Sequence, residues 1–535
     1  MTYPATMGQE TIAMRQGNAM RHGWRPAWVF AFAALAGCTQ VARQPTRPAP
    51  TDPVQATAAQ FDAIRHSPPL LDAFLRAMPK GADLHNHLAG AIYAEDLLDW
   101  AAHDGDCIER ATYAAVAPPC DAAQGRPPAA AAFGDDALYR QIIDAWSMRD
   151  FVPRNGESGH DHFFDTFGKF HQVTQTHRGD MLARALHQAA RDNAIYVELM
   201  DTLADAEVRA LAARTPWNGD FAHAHAALQP GMAGVVARAR GELDNSSRRM
   251  RRDLRCGSAQ ADPGCGVEVR FLYQVLRGFP APRVFAQMLA GFELAAVDAR
   301  VVGINLVMPE DGHLSMRDFR EQMAMLDYLH AQFPRVHISL HAGELSPTLV
   351  PPDGLRFHIR DSIEHGHAQR IGHGVDVMHE DDPRSLLREM ASKHVLVEIC
   401  PTSNRSILGI GGADHPLPVY LAAHVPLAIA TDDEGVSRSD LTREFAIAAA
   451  SWHLSYATLK TMARNSLEYA FLGGASVWNS PDGFVPVSAC AHDVPGAAPP
   501  APACAAFLAG SEKARLQWRL EAQLRDFEAS IAAGR

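Results

Sequence analysis

Three short stretches of this chain carry metal-binding or proton-moving groups at spacings that matter. His85 and His87 flank Asn86 in Asp83-Leu84-His85-Asn86-His87-Leu88. In an extended run alternate side chains share a face, so both imidazoles reach one point. His341 ends the run Val336-His337-Ile338-Ser339-Leu340-His341. There Val336, Ile338 and Leu340 take one face, and Ser339 and His341 take the other. Asp432 and Asp433 follow a run in which Ala428 and Ala430 leave room on the face from which Asp432 projects. Three imidazoles and one carboxylate suit a single zinc ion with a position left for water. An H-x-H pair alone is also a hydrogen-bonded core or surface feature; the three stretches jointly carry the reading. The run 301–307 lacks the terminal lysine that a two-metal site would bridge through, which favours one ion.

A second group of residues follows from the first. Glu344 lies three residues beyond His341 in His-Ala-Gly-Glu, where a loop aims it into a pocket or leaves it a solvated carboxylate. His373 sits between Gly372 and Gly374, which let the backbone approach a ligand; packing explains it equally well. Asp433 cannot easily share the metal geometry of Asp432, and is free to hydrogen-bond a substrate.

The elements that must position these residues show a rhythm. β-rich runs at 82–88, 194–200, 267–274, 301–307, 336–341, 370–375, 395–400 and 426–431 alternate with longer helical stretches. Alternation implies parallel strands with right-handed crossovers, and eight such runs predict an α/β fold of the (β/α)8 TIM-barrel class over 60–475. An insertion after the first strand, about 92–191, is placed to roof the C-terminal end of the barrel, where barrel enzymes keep their catalysts. A C-terminal appendage, 476–535, carries an amphipathic helix over 511–532.

Composition narrows the partners. A net charge of −12 argues against nucleic acid or an anionic membrane as the main one. A basic start from Met20 and an apolar run to Leu35-Ala36-Gly37-Cys38 read as an export signal with a bacterial lipobox. Segment 1–38 is then a signal peptide, with 1–19 an upstream mis-start, and 39–59 a proline-rich tether. The expected localisation is export as a lipoprotein, periplasmic or anchored to the outer membrane through a lipid at Cys38, with plain secretion as the alternative. Six other cysteines fall into close pairs, 107 with 120, 256 with 265 and 490 with 504, economically read as loop-closing disulfides. Cys400 is left over as a buried free thiol.

Pro79-Lys80-Gly81-Ala82-Asp83-Leu84-His85-Asn86-His87-Leu88, His341-Ala342-Gly343-Glu344, Arg370-Ile371-Gly372-His373-Gly374, Cys400-Pro401-Thr402-Ser403-Asn404 and Thr431-Asp432-Asp433 occur in this order. Together they resemble the adenosine deaminase family of metal-dependent hydrolases. His160–Phe170 and Met78–Gly81 resemble its secreted, growth-factor-related branch, and 464–469 resembles the family's late helix.

The resemblance implies that His85, His87, His341 and Asp432 hold one Zn²⁺, lowering the pKa of bound water from ~15.7 toward ~7. It implies that His373 orients that water, that protonated Glu344 donates to purine N1, and that Asp433 bonds N7. The implied reaction converts adenosine or 2′-deoxyadenosine to inosine or deoxyinosine plus ammonia. His87 and Met308 are expected to line the substrate site. Three positions depart from the family. Ala89 replaces a ribose-contacting aspartate, Met308 a glycine whose amide meets purine N3, and Glu434 a proline after Asp-Asp; all three are expected where sugar or ring is recognised. His162 and Asp165 are candidates to replace the ribose contact, or are helix-surface residues. The alternatives are a deaminase of adenine or an N6-alkyl nucleoside, and a catalytically silent purine-binding barrel.

Overall fold

A computed structural model describes residues 52–153 and 156–534. The signal peptide, the lipobox and Cys38 lie outside the described residues, as does the first part of the expected tether.

Eight parallel strands form the barrel: β1 (Gly81–His87), β2 (Ala194–Asp201), β3 (Glu268–Leu276), β4 (Val301–Val307), β5 (His337–Ala342), β6 (Arg370–His373), β7 (Leu396–Ile399) and β8 (Leu427–Ile429). Each pairs with the next in chain order. The seam between β8 and β1 is closed at its upper end by the backbone. His87 N–H donates to Asp432 O at 3.2 Å, and Asp432 N–H donates to His85 O at 2.8 Å. Asp83 ties the same seam from below, accepting from the Thr431 hydroxyl at 2.5 Å and the Asn86 amide at 3.3 Å. The strand carrying His85 and His87 and the segment carrying Asp432 are thus registered against each other by the backbone.

The eight expected runs all fall on strands, with ends moved by a residue or two. The two faces of β5 separate as alternation requires. Ile338 and Leu340 join the apolar layer beneath the helices, whereas the Ser339 hydroxyl donates to Glu398 inside the barrel at 3.1 Å.

Between β1 and β2 the insertion folds as the helices Ala94–Asp104, Asp136–Ala145 and Gly159–Thr174, with a small antiparallel hairpin. The return helix Arg178–Arg191 packs on β2. Helix Gly159–Thr174 starts on the Ser158 hydroxyl, which accepts from Asp161 N–H, and brings Phe163, Phe164 and Phe167 over the barrel mouth. Disulfides join Cys107 to Cys120, Cys256 to Cys265 and Cys490 to Cys504, and Cys400 is free and buried.

Two end segments pack more closely than their composition suggests. Helix Pro53–Ile64 runs through the last residues read as tether. Asp52 caps it, proline stands in its first turn, where a missing N–H costs nothing, and Thr57 and Phe61 are buried. Helix Glu512–Ala532 packs beneath the barrel. Its Leu516, Leu520 and Leu524 form one apolar cluster with Ala82, Leu84, Ile195, Leu396 and Ala428 of the strands. The segment read as an appendage plugs the N-terminal end of the barrel, which explains why a charged helix carries a leucine stripe.

Candidate metal centre and catalytic pocket

The strand ends deliver four side chains to one point. His85 Nε2 lies 3.1 Å from His341 Nε2, and His87 Nε2 lies 3.2 Å from the same atom. Asp432 Oδ1 is 3.2 Å from His87 Nε2 and 3.6 Å from His85 Nε2. Ligand atoms placed tetrahedrally at about 2.05 Å from one ion stand about 3.3 Å apart, which these four distances match. Within 4.8 Å of one another, ligand atoms of His85, His341 and Asp432 group with His373, and His87 groups with Asp432 and Asp433.

The outer nitrogens explain why a cation belongs there. His85 Nδ1 meets the Glu398 carboxylate at 2.7 Å, His87 Nδ1 the Gln274 carbonyl oxygen at 2.8 Å, and His341 Nδ1 the Asn305 carbonyl oxygen at 2.8 Å. Each outer partner is an acceptor, so each Nδ1 carries the proton and each Nε2 turns a lone pair inward. Three converging lone pairs and a carboxylate repel one another unless a positive charge sits between them. Burial pushes the His341 imidazole well below its usual range, with the neighbouring histidines adding to the effect, so it stays neutral and able to ligate. These residues fit a metal ion.

Buried beside this group is a proton-handling set. Glu344 is 6% exposed, and its Oε1 has no hydrogen-bond partner. Burial, then the charges of Asp432, Glu310 and Asp433, push its carboxyl well above the usual range, favouring the protonated acid. Its loop is fixed from behind, because buried Glu310 accepts from Gly343 N–H at 3.1 Å and Glu344 N–H at 2.8 Å. His373 Nε2 stands 3.9 Å from Asp432 Oδ2, and Nδ1 stands 3.7 Å from Glu344 Oε1. Burial holds His373 down at about 3, hence neutral. Asp433 lines the cavity with Oδ1 unpartnered, and a Cβ on Gly90 would fall on its carboxylate. Gly90 is therefore required for Asp433 to lie where it does.

The cavity itself measures 400 Å³, within the range of small-molecule sites. His87, Asp201, Gln274, His341, Glu344, Asp432 and Asp433 make its polar wall, opposed by the three phenylalanines, Leu276, Val307 and Ile407. Met308 and Ala89 also line it. Met308 holds φ +87°, the left-handed region in which glycine is at home, so methionine here retains a backbone shape made for a smaller residue. Three other candidates stand elsewhere, and for Asp165 the helix-surface alternative is the one seen. Glu434 turns away from the cavity into a small void behind β1, beside Asp83, Asn86 and Asp192, because the turn after Asp433 starts a short helix. His162 is spent on Glu157 and on the Asp144 and Ser147 carbonyls, and Asp165 faces solvent, paired with Lys169. Neither lines the pocket. Gly372 makes room for the His85 ring, not for a ligand.

Sequence reading missed Glu398, Gln274 and Asn305, the partners that set the histidine tautomers, and Glu310, which holds the Glu344 loop. Three of the four are polar residues on inward faces of otherwise apolar strands; that interruption was the available signal.

An eight-stranded parallel barrel thus carries, at its C-terminal rim, buried histidines and an aspartate grouped so that they could hold a metal ion. Residues 246–476 match the family model described as adenosine deaminase, in agreement with the motif resemblance. The matched region includes His341, Glu344, His373 and Asp432 but not β1, whose two histidines reach the centre through the fold. An adenine deaminase of Chelativorans sp. is 29% identical over 218 residues, covering 40% of this chain and 61% of that protein. An adenosine deaminase of Enterococcus faecalis is 35% identical over 138 residues, covering 26% of this chain and 37% of that protein. The chain thus spans less than two thirds of the length of either relative. Among solved structures, an arabidopsis N6-mAMP deaminase is 21% identical, with a TM-score of 0.48, covering 75% of this chain and 96% of that one.

Proposed function

We propose that this protein is a zinc-dependent deaminase that hydrolyses the 6-amino group of adenosine or 2′-deoxyadenosine, with one ion per chain. The observation that carries the reading is the pairing of a four-ligand centre with a buried, unpartnered carboxylic acid across one cavity. When bound, the ion supplies Lewis acidity and a water acidified toward neutral pH. Asp433 accepts a hydrogen bond at the purine imidazole edge and fixes the ring plane. Glu344 delivers its proton to ring N1, because attack at C6 drives charge onto that nitrogen. His373 holds its Nε2 proton toward the space between Glu344 and Asp432, where the attacking oxygen arrives. The phenylalanine roof excludes bulk water, which strengthens each of these interactions.

A second reading keeps the chemistry and changes the substrate. Ala89 offers only a methyl group to the cavity, and most of the wall away from the metal centre is apolar, which favours adenine over a ribose that needs hydrogen bonds; an N6-alkyl nucleoside is the other candidate. Ammonia or amine release from adenosine, deoxyadenosine, adenine and N6-methyladenosine, with and without chelator, decides among these. No release from any of them, by protein holding one equivalent of zinc, leaves a purine-binding barrel.

Export is part of the same proposal. The Leu-Ala-Gly-Cys ending supports a lipid at Cys38, and three disulfides suit an oxidising compartment. Radiolabelled palmitate incorporated by the wild type and not by Cys38→Ala tests the anchor. The insertion motif supports kinship with the secreted branch of the family.

A further inference from the structure

Which proton His373 offers the reacting oxygen is decided three residues away, by a chain of directed hydrogen bonds that ends on the backbone. Leu417 N–H donates to His415 Nδ1 at 3.1 Å. A backbone amide only donates, so His415 Nδ1 accepts, and its proton lies on Nε2. His415 Nε2 is 3.1 Å from Asn404 Oδ1, which accepts that proton. The Asn404 amide is thereby oriented, and its Nδ2–H₂ stands 3.0 Å from His373 Nδ1. Facing a donor, His373 Nδ1 accepts, and the ring proton is left on Nε2. All three side chains are buried, Asn404 and His373 fully. Burial also holds His415 down at about 4, so it does not acquire a second proton near neutral pH and reverse the sense of the chain. The His415 ring is backed by Trp452, at 5.0 Å between centroids, whose indole N–H is anchored on Gly412 O at 2.7 Å.

We propose that Asn404 and His415 are positioning residues that lock His373 in its Nε2–H tautomer, so that it donates to the attacking oxygen and does not compete as a metal ligand. The second clause follows from geometry. His373 stands with His85, His341 and Asp432 in a buried group whose ligand atoms lie within 4.8 Å of one another. With a lone pair on Nε2 it would be a rival ligand; with a proton there it cannot be one. The inference rests on the proposed deamination for its consequence, but not for the tautomer itself.

The test uses the full chain, labelled with ¹⁵N-histidine, in long-range ¹H–¹⁵N correlation spectra, with the His373 signals assigned by their loss in His373→Gln. The wild type is expected to show His373 protonated at Nε2 only. Asn404→Asp presents an acceptor to both rings and is expected to move the His373 proton to Nδ1. On the best purine substrate kcat then falls about 10²–10⁴-fold, the range for a misplaced general acid–base group, while metal content is unchanged and KM holds within about threefold. His415→Gln, whose amide still donates to Asn404 and accepts from Leu417, is expected to keep both the tautomer and most of kcat. An Nε2–H signal that survives in Asn404→Asp overturns the proposal, and so does a shifted proton with undiminished kcat. Should Asn404→Asp not fold, His415→Phe against His415→Gln repeats the comparison, and equal spectra and rates for the two overturn it. A wild type that turns over no purine yet shows the expected tautomer refutes the deaminase reading alone.

Discussion

Replacing Glu398 by glutamine separates the metal centre from the scaffold that holds it. The carboxylate is fully buried and serves three partners: Oε2 accepts from His85 Nδ1 at 2.7 Å, Oε1 stands 2.6 Å from Arg370 Nε, and the Ser339 hydroxyl donates from 3.1 Å. Burial alone would raise its pKa, but the Arg370 guanidinium and His85 outweigh that and hold it below the ordinary carboxylate range. It is therefore ionised at neutral pH and makes the His85 Nε2 lone pair more basic. Removing such a partner behind a metal-bound imidazole typically weakens binding 10–100-fold, about 1.4–2.7 kcal/mol. The fold loses less than a broken buried ion pair normally costs, because Arg370 keeps Glu198 at 2.6 Å and the Tyr469 carbonyl at 3.0 Å. A loss of about 1–3 kcal/mol is expected. Zinc affinity is read by competition with a chromophoric chelator, and stability by denaturant unfolding of zinc-free protein, so the two effects do not mix. Zinc affinity within twofold of wild type, alongside a measurable loss of zinc-free stability, would mean that His85 is not ligating through Nε2, and the centre as described would be wrong.

Glu344→Gln is expected to keep its zinc and lose about 10²–10⁴-fold in kcat; an unchanged rate would refute its role as the acid. Gly90→Ala puts a methyl group on the Asp433 carboxylate, displacing a charged hydrogen-bond partner worth about 1.5–3 kcal/mol, so kcat/KM should fall about 10–150-fold with metal content intact. Leu520→Ala, in the helix beneath the barrel, should cost about 2–5 kcal/mol in denaturant unfolding; a cost near zero would return that helix to the status of an appendage. Glu444 carries the pH prediction: burial lifts its pKa to about 7 despite hydrogen bonds from Ser439 and Thr402. The folded state holds this proton more tightly than the unfolded state, so the stabilisation is full below the unfolded pKa near 4.3 and is lost as pH rises toward 7. Relative to Glu444→Gln, wild-type stability should therefore decline by about 3 kcal/mol across that window. A flat difference would show that the group ionises normally.

Most of the barrel was legible because parallel strands buried on both sides read as apolar runs, and helices between them left clear gaps. The candidate metal ligands were legible for a related reason. At strand ends the two-residue alternation survives long enough to say which side chains share a face, and His85, His87 and His341 obeyed it. What failed was reasoning by adjacency in loops. Glu434 follows Asp433, yet the chain turns between them, and the side chain ends behind β1. His162 lies in the aromatic insertion, yet helical geometry points it at the Asp144 and Ser147 carbonyls while Phe163 and Phe167 take the pocket. Long-range partners such as Glu398 for His85, 313 residues apart, follow no local pattern. They were visible only as a charged residue out of place in an apolar strand.

Three of the fifteen non-glycine residues with positive φ among the described residues stand at the strand ends around the site. Met308, His373 and Asp432 each hold positive φ, at +87°, +69° and +62°, and each comes just after β4, at the end of β6 or just after β8. For side chains with a Cβ this conformation costs of order 1 kcal/mol or more apiece, and it persists only where surrounding structure fixes it. The surroundings do so here. Asp432 is clamped by reciprocal backbone bonds to His85 and His87, and His373 is held at Nδ1 by Asn404. The left-handed turn at a strand end lifts a side chain out of the strand's alternation and swings it across the barrel axis. In this way residues from β6 and β8 converge on histidines delivered by β1 and β5. A relaxed strand end would leave Asp432 in plain alternation and would not point it at His87. The strain belongs to the architecture of the centre, and the buried bonds that hold it are as much a part of the site as the side chains facing the cavity.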